Sequence, residues 1–287
     1  MDDIANYLHI LHFCFILFPK GGDTMDLPFT AYCRTDSRWN MIRPHLHGEM
    51  ELLFPLTDGD DIFIDSVSYP LRRGSLFLMD AGVPHRSRAD KQPEYHRYVL
   101  HLPPETAQAL GAAELSHLLA EKGCCALLTP EEDDLCRRLF ARLTANSTTV
   151  AAQLRRTAAL AELLALILDK WSTDAAQPPT AADPTAAAII AYIRTHLSQP
   201  LTLDTLTQQF YLSKSALCHR FKAATGFTVM EYVVLCRVRY AGTLLRRGVS
   251  VRRAGEAAGF GDNAHFIRSF RRITGTTPGR YAKEDPT

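Results

Sequence analysis

Two patterns of apolar and polar residues divide the chain. In the first part, short apolar runs alternate with turn residues such as Asp58-Gly59-Asp60, and this spacing predicts antiparallel strands in a small barrel or jelly roll. These runs cover 51–56, 61–67, 75–79 and 96–102. From residue 131 onwards, apolar residues recur at intervals of three and four, which is the period of a helix. The predicted fold is therefore α+β, with a β-rich first part and an all-α second part.

A ten-residue pattern near the C-terminus occurs twice, 49 residues apart, at 217–226 and 266–275. The first copy has Leu217 and Phe221 four positions apart, and the second copy repeats this spacing, so each copy is predicted to bury one face of a helix. Each copy carries basic residues on its other faces and ends in Gly, a common helix stop. Two similar basic helices suggest two matching contacts with a repetitive polyanion, and double-stranded DNA is the obvious candidate.

A second helical pattern precedes each repeated helix. Ser213 is a suitable N-cap for the first repeated helix, and Asp262 is a suitable N-cap for the second. Gly259 and Gly261 permit a tight turn before Asp262. Helix, short turn and capped helix is the helix-turn-helix arrangement, in which the second helix enters the major groove.

The distribution of charge supports the same interpretation. The net charge of the whole chain is only +1, but residues 185–287 carry 15 Lys and Arg against 6 Asp and Glu. The other 184 residues carry 17 against 25. Basic charge is therefore concentrated in the part that contains the repeat, as phosphate binding requires.

Residues from about 189 to 281 resemble the DNA-binding domain of the AraC/XylS transcription regulators. The resemblance consists of many matches in order, which are 193–197, 200–203, 211–215, Phe221-Lys222, Thr225-Gly226, Arg237, Ala241, 258–260, Asp262, Phe266, Arg268, Phe270, Gly275, Pro278 and Tyr281. It implies two helix-turn-helix units joined by a long helix, roughly 229–246, that dock in successive major grooves. It also implies that Ala254-Gly255 is a departure, since a branched residue followed by Ala is usual there. We expect this pair to remove core volume, so that the second unit opens more easily than the first.

The same resemblance implies which residues contact DNA. The base-reading positions are Ser215, Cys218 and His219 in the first unit and Asn263, Ala264 and Arg268 in the second. Lys214, Lys222, His265 and Arg271 are better interpreted as phosphate contacts that set register. Arg268 could form a bidentate contact with guanine, whereas His219 can donate only one hydrogen bond, so the second helix should discriminate bases more sharply.

In the predicted barrel, His45, His47 and Glu51 have the same parity and would share one face of a continuous strand. With Gly74, Gly82 and His85, they resemble the two cupin motifs. In cupin enzymes the four matching residues, His45, His47, Glu51 and His85, bind a divalent metal such as Fe, Mn, Ni or Zn. In regulators of the AraC type, the same barrel usually binds a small organic effector. The residues can therefore be metal ligands, part of an effector pocket or structural hydrogen-bonding groups, and no cofactor is expected.

A helix at 154–171 has an apolar stripe of Leu160, Leu164, Ile167 and Trp171. Such a stripe is either core or a dimer seam, and we expect a seam shared with a preceding helix at 131–144. The expected domains are a sensor and dimerisation domain at 25–172, a linker at 173–184 and the DNA-binding domain at 185–287. Residues 1–24 are expected to be a non-native or disordered extension, with translation starting at Met25, because 20–22 can be encoded by a ribosome-binding site.

The amino-acid composition indicates the cellular compartment in which the protein is expected. Seven cysteines without a CxxC pair indicate a reducing compartment, and the apolar run at 8–18 is too short for a membrane helix. We therefore expect a cytoplasmic, homodimeric transcription regulator, not an enzyme, that binds double-stranded DNA and a small-molecule effector, and RNA polymerase if it is an activator. A metal-dependent cupin enzyme fused to a DNA-binding domain is the alternative. A DNA-alkylation repair sensor is a third possibility, but no suitable reactive-cysteine motif is present.

Overall fold

The computed structural model describes residues 27–40, 48–146, 149–173 and 183–283. The predicted N-terminal extension, His45, His47 and most of the predicted linker lie outside these residues. The strands are β1 (Thr30–Asp36), β2 (Trp39–Asn40), β3 (Met50–Pro55), β4 (Asp61–Ile64), β5 (Val67–Pro70), β6 (Ser75–Met79), β7 (His85–Ala89), β8 (Tyr95–Leu102) and β9 (Cys125–Leu127).

These strands form two antiparallel sheets. A five-stranded sheet has the order β1-β8-β3-β6-β9, and a four-stranded sheet has the order β2-β7-β4-β5. The four apolar runs identified in the sequence correspond to β3, β4, β6 and β8, and the overall α+β architecture is confirmed. The sequence pattern did not identify β1, β2, β5, β7 and β9 as separate strands.

Alternation of side chains gives the five-stranded sheet two different faces. Leu52, Phe54 and Leu100 belong to a core that the sheet shares with the helices. Leu53 and Val99 point the other way, towards the four-stranded sheet, where a second apolar cluster lies. The N-terminal domain therefore has three layers, which are helices, the large sheet and the small sheet.

The helices of this domain are α1 (Pro104–Ala109), α2 (Leu115–Lys122), α3 (Pro130–Leu143) and α4 (Val150–Thr173). The dimer-seam interpretation of the stripe on α4 is wrong. Leu160, Leu164, Ile167 and Trp171 are buried within the core of their own domain, against α3 and the large sheet. Trp171 Nε1 also donates a hydrogen bond to the Gly123 carbonyl at 2.8 Å, which fixes the end of α4 internally.

The C-terminal helices are α5 (Pro184–Thr195), α6 (Leu203–Phe210), α7 (Lys214–Thr225), α8 (Val229–Arg246), α9 (Val251–Ala257), α10 (Asn263–Thr274) and α11 (Pro278–Tyr281). Two buried clusters hold them, one around Phe221 and Tyr232 and one around Phe266 and Phe270. The long helix α8 contributes to both clusters, because it buries residues along its whole length. The predicted pair of helix-turn-helix units joined by a long helix is therefore confirmed.

The predicted helix boundaries follow from their caps. Ser213 Oγ accepts a hydrogen bond from the Ala216 amide at 3.2 Å at the start of α7, and Asp262 Oδ2 accepts from the His265 amide at 2.7 Å at the start of α10. Gly226 and Gly275 end these helices with φ of 80° and 78°, in the left-handed region that glycine adopts without strain.

Gly255 leaves no gap in the second unit, contrary to the expectation of lost core volume. A Cβ at this position would lie 2.7 Å from Cδ1 of Phe266, so the aromatic ring already occupies the space of the usual side chain. Ala254 is fully buried beside it. The absence of a side chain at residue 255 is therefore a packing requirement of the large ring on α10.

The two helix-turn-helix units are also tied directly to each other. Arg237 on α8 donates from Nε to the Leu197 carbonyl at 3.0 Å and from Nη2 to the Gln199 carbonyl at 2.8 Å. Gly259, in the turn of the second unit, has φ of 89°, and a Cβ there would lie 2.1 Å from the Leu197 carbonyl oxygen. The turn of the second unit thus touches the loop that precedes α6 of the first.

We predict that Gly259→Ala destabilises this contact, because the new Cβ collides with backbone and the residue must keep a positive φ. The expected loss is about 1–3 kcal/mol in the free energy of unfolding, measured by chemical denaturation. Gly261→Ala is the matched control, since it lies in the same turn, has no positive φ and has open space around its Cβ. Equal stability of the two variants would contradict the close contact.

Candidate DNA-binding surface and polar cluster between the sheets

The first unit exposes most of the residues predicted to contact DNA. Helix α7 buries Leu217 and Phe221 because they lie four residues apart on one face. On the opposite side, the predicted contact residues are exposed, except that one is half-buried against the core of the unit. The exposed residues are Lys214, Ser215, His219 and Lys222, and the half-buried one is Cys218.

The second unit exposes all of its predicted contact residues. Phe266 and Phe270 are buried, while the polar face of α10 is free of the core. The exposed residues are Asn263, Ala264, His265, Arg268 and Arg271. The Arg268 side chain is 70 % exposed and its Nη2 lies 3.9 Å from Oδ2 of Asp262. The guanidinium is therefore held near the start of α10, the end that enters the major groove in helix-turn-helix proteins.

The ion pairs around the two helices differ. Lys214 Nζ lies 2.7 Å from Oδ1 of Asp204 across the turn of the first unit. Arg220 Nε lies 3.2 Å from Oδ2 of Asp183, which caps α5. Hydrogen bonds from the Ala264 and His265 amides lower the pKa of Asp262, so this cap stays ionised beside Arg268. These exposed pairs are weak and can exchange partners with phosphates.

A polar cluster occupies the space between the two sheets of the N-terminal domain. Glu51 is buried, and its Oε2 lies 3.4 Å from Nε2 of His85 and 3.1 Å from Nε2 of His101. The structure therefore brings together two of the predicted residues, Glu51 and His85. His101 was missed by the sequence reasoning, although it faces Glu51 across the β3–β8 pair. The inward parity of β8 is the signal that could have found it.

The strand that was predicted to carry His45, His47 and Glu51 is only partly present in the described residues. Strand β3 begins at Met50, and Gly48 and Glu49 form a bend before it. The predicted continuous strand from His45 to Glu51 is therefore wrong over Gly48 and Glu49, and His45 and His47 lie outside the described residues. In the described part of the chain, no group of three His, Cys, Asp or Glu side chains is arranged to hold a metal ion.

An aromatic and cationic wall adjoins the Glu51 cluster. The Arg97 guanidinium lies 4.1 Å from the ring centre of Trp39 and 4.9 Å from that of Tyr95, and its Nη2 lies 2.9 Å from Oδ2 of Asp36. Within the described residues, the buried Tyr95 hydroxyl and Arg97 Nη1 have no hydrogen-bond partner. The wall thus presents donors that a polar ligand could satisfy.

Burial disfavours the charged form of His85, but the Glu51 carboxylate and the Val83 carbonyl outweigh it and raise the pKa of the imidazole above its ordinary value of 6.5. A raised pKa means that the contact between imidazolium and carboxylate contributes fully below pH 6.5. The contribution is lost as the pH rises through the pKa of the folded state.

Comparison with known protein families matches both parts of the chain. Residues 31–164 match the AraC-like ligand binding domain, and residues 206–284 match a helix-turn-helix domain. The chain therefore combines a region similar to an AraC-like ligand binding domain with a region similar to a helix-turn-helix domain. The match to the first domain spans β1 to α4, which includes the space around Glu51, and the match to the second spans both helix-turn-helix units.

Curated relatives match over about a third of the chain. The MmsAB operon regulatory protein of Pseudomonas aeruginosa is 37% identical over 92 residues, which cover 32% of this chain and 30% of that protein. The transcriptional activator RhaR of Salmonella schwarzengrund is 30% identical over 105 residues, which cover 36% of this chain and 37% of that protein. The match thus spans about a third of the length of each relative.

The chain is also similar to solved structures. The DNA-binding domain of AdpA, described as a global transcriptional factor in complex with a target DNA, is 27% identical over 34% of this chain and 90% of that chain, with a TM-score of 0.34. ToxT from Vibrio cholerae is 12% identical over 89% of this chain and 97% of that chain, with a TM-score of 0.37. Separately, no helix in the described residues is long and apolar enough to cross a membrane.

We predict that Glu51→Gln lowers the pKa of His85, because the neutral amide no longer stabilises the imidazolium. The measurement is an NMR titration of the imidazole resonances. An unchanged His85 titration would show that Glu51 does not set its charge.

Proposed function

We propose that the protein is a sequence-specific DNA-binding transcription regulator of the AraC type, controlled by a small molecule that binds between the two sheets. The observation that carries the proposal is the pair of capped helices α7 and α10. Each buries its aromatic or aliphatic face and exposes basic and polar residues. The curated relatives that match about a third of the chain are named as an operon regulatory protein and a transcriptional activator, which supports the same conclusion.

The spacing of the two units suits one face of a duplex. Helix α8 has 18 residues and spans about 27 Å at ~1.5 Å per residue. Successive major grooves lie about 34 Å apart, and the flanking helices can supply the remaining distance. We therefore propose that α7 and α10 enter adjacent major grooves.

The two units contribute unequally to base recognition in this proposal. Arg268 can form two parallel hydrogen bonds with guanine O6 and N7. Cys218 is half-buried and is a weak donor, and His219 can donate only one hydrogen bond to a base. The second unit therefore discriminates bases more strongly, while Lys222 and Arg271 serve mainly to hold phosphates.

The polar cluster between the two sheets suits a small molecule with several hydrogen-bonding groups. Glu51, His85 and His101 provide a polar cluster, and Tyr95 and Arg97 provide buried donors beside it. A ligand that pairs with these groups would recover their desolvation cost. This supports an effector pocket rather than the alternative of a metal-dependent cupin enzyme, since the curated relatives are regulators.

We also propose that the chain forms a homodimer through the outer face of α4. Ala151, Ala158 and Ala165 are exposed at seven-residue spacing, with Leu154 between the first two and 57 % exposed. A heptad of small and apolar residues allows two helices to pack closely. This face lies opposite the buried stripe on which the sequence prediction placed the seam. The dimer would act on DNA in the cytoplasm and would contact RNA polymerase if it is an activator.

We predict different effects for the two classes of DNA contact. Arg268→Ala should relax the preference at one base position by about 1–3 kcal/mol, measured by competition between single-base variants of a selected site. Lys222→Ala should weaken binding to all sequences and reduce the slope of log K against log salt by about one. The same behaviour in both variants would contradict these roles.

Lys122→Ala is the matched control for these measurements. It removes one positive charge from an exposed position on α2 in the N-terminal domain, away from both helix-turn-helix units. Its affinity and salt slope should remain close to those of the wild type. If the wild-type chain selects no sequence from a randomised duplex pool, the proposed function is wrong.

We predict that Leu154→Glu dissociates the dimer, because it places like charges along the proposed seam. Light scattering coupled to size-exclusion chromatography should show a dimer for the wild type and a monomer for the variant. Leu127→Glu is the control, since Leu127 is 52 % exposed and lies on a different element, β9. A wild-type monomer, or dissociation by both variants, would contradict the assignment.

A further inference from the structure

Tyr211 lies in the turn between α6 and α7, in a backbone conformation that a bulky side chain disfavours. Its φ is 53° and its ψ is 40°, in the left-handed region. The turn requires this conformation, because the amides of Tyr211 and Leu212 both donate to the Thr207 carbonyl and so end α6. Gly or Asn would adopt it with less strain. The fold therefore explains the backbone of residue 211 and does not explain its side chain.

Packing within the chain does not explain the Tyr211 side chain either. Its neighbours in sequence, Phe210 and Leu212, are half-buried against the core of the first unit. Tyr211 points away from that core and is 95 % exposed. A single exposed aromatic residue is ordinary, but one that also strains its backbone is not. The combination points to a contact that Tyr211 makes with another molecule.

The second unit has a glycine in the corresponding turn. The residue with positive φ there is Gly259, which lies 48 residues after Tyr211 and follows α9 as Tyr211 follows α6. A Cβ at Gly259 would lie 2.1 Å from the Leu197 carbonyl oxygen, so this position faces the first unit and has no room for a side chain. The matching position of the first unit is open to solvent and carries a tyrosine.

The repeat also gives the direction in which Tyr211 points relative to a bound duplex. When α7 and α10 enter successive major grooves in the same way, the two units are related by about one turn of DNA. A side chain at residue 259 would point from the second unit towards the first. The matching side chain of Tyr211 then points away from the second unit, towards the DNA that flanks the half-site of α7.

The turn of a helix-turn-helix unit lies over the DNA backbone. The first helix crosses a sugar–phosphate strand and the second enters the groove beside it, so the turn between them lies at the edge of the groove. Tyrosine hydroxyls are among the groups that donate hydrogen bonds to phosphate oxygens. The extended side chain of Tyr211 is therefore directed at a strand of the backbone.

We propose that Tyr211 binds the sugar–phosphate strand just outside the half-site of α7. The proposal rests on the proposed function and extends the DNA contacts beyond the two major grooves. The hydroxyl donates to a phosphate oxygen, and the ring lies against the adjoining deoxyribose. The first unit has the weaker base-reading donors, Cys218 and His219. Tyr211 gives this unit a contact that sets its register and that the second unit, with Gly259, lacks.

Tyr211→Phe removes the hydroxyl and keeps the ring and the backbone. The affinity of the full-length chain for a duplex selected from a randomised pool should fall about three- to tenfold, the effect of one hydrogen bond. Because the contact is uncharged, the slope of log K against log salt should not change. Tyr240→Phe is the matched control, since Tyr240 is exposed on α8, and it should bind as the wild type does. An equal affinity of the two variants would overturn the contact.

Tyr211→Asn separates a DNA contact from a structural role in the turn. Asn adopts the left-handed conformation more readily, so the Tm of the free protein should stay the same or rise by up to about 4 °C. The affinity for the selected duplex should still fall at least as far as in Tyr211→Phe, because the ring is lost as well. A lower Tm together with a lower affinity would show that residue 211 only supports the turn, and would overturn the proposal.

Shortened duplexes locate the contact. Base pairs are removed from each end of the selected duplex in turn, while both half-sites are kept. Removal at the end next to the half-site of α7 should weaken binding of the wild type about three- to tenfold and leave Tyr211→Phe unaffected, because the variant has no hydrogen bond to lose. Arg268→Ala identifies the opposite half-site by its relaxed base preference. Equal losses in the wild type and Tyr211→Phe would overturn the assigned partner.

These measurements also distinguish the failure of this proposal from the failure of the proposed function. If the wild-type chain selects no sequence from the pool, the proposed function is wrong. If it selects a site that both Tyr211 variants bind as tightly as the wild type, the function stands and the Tyr211 contact is overturned.

Discussion

The period of two residues along a β-strand is the constraint on which the relation between the two domains depends. Because side chains alternate, β4 and β7 present polar and apolar groups to the space between the sheets and a different set to the DNA-binding helices. His85 and Arg86 illustrate this, since one contacts Glu51 and the other packs beside Gly226. One layer of backbone therefore forms both one side of the polar cluster and one side of a domain interface. A local shift of these strands necessarily affects both.

In the DNA-binding domain, capping residues and glycines determine where each helix begins and ends. Packing in the core then determines how the helices are arranged. Ser213 and Asp262 start the repeated helices and glycines end them, so the repeat in sequence becomes a repeat in structure. Packing then makes the copies unequal. The core of the first unit includes Phe63 from the sensor domain, whereas the core of the second unit is filled by the ring of Phe266 against Gly255.

Features that depend on neighbouring residues were predictable from the sequence, and features that depend on distant partners were not. Caps and turns were predicted because each is encoded within a few residues, and the long helix α8 was expected from the family resemblance. The stripe on α4 was misassigned because periodicity shows that a face is apolar and does not show whether Leu160 meets its own sheet or another chain. His101 was missed because its proximity to Glu51 depends on strand register, and nothing local to Asp65 indicates that Arg194 and Arg239 converge on it.

The contact of Gly259 with the Leu197 carbonyl, braced by Arg237, has a consequence for the DNA that this protein could recognise. Because backbone contact holds the two recognition helices, the distance and angle between them are fixed. One added base pair between the two half-sites would displace the second by about 3.4 Å and rotate it by about 34° around the duplex. A rigid pair of recognition helices cannot follow that change without losing the contacts of one helix with its half-site. Binding sites for such a domain should therefore tolerate substitutions in the spacer between half-sites far better than changes in its length.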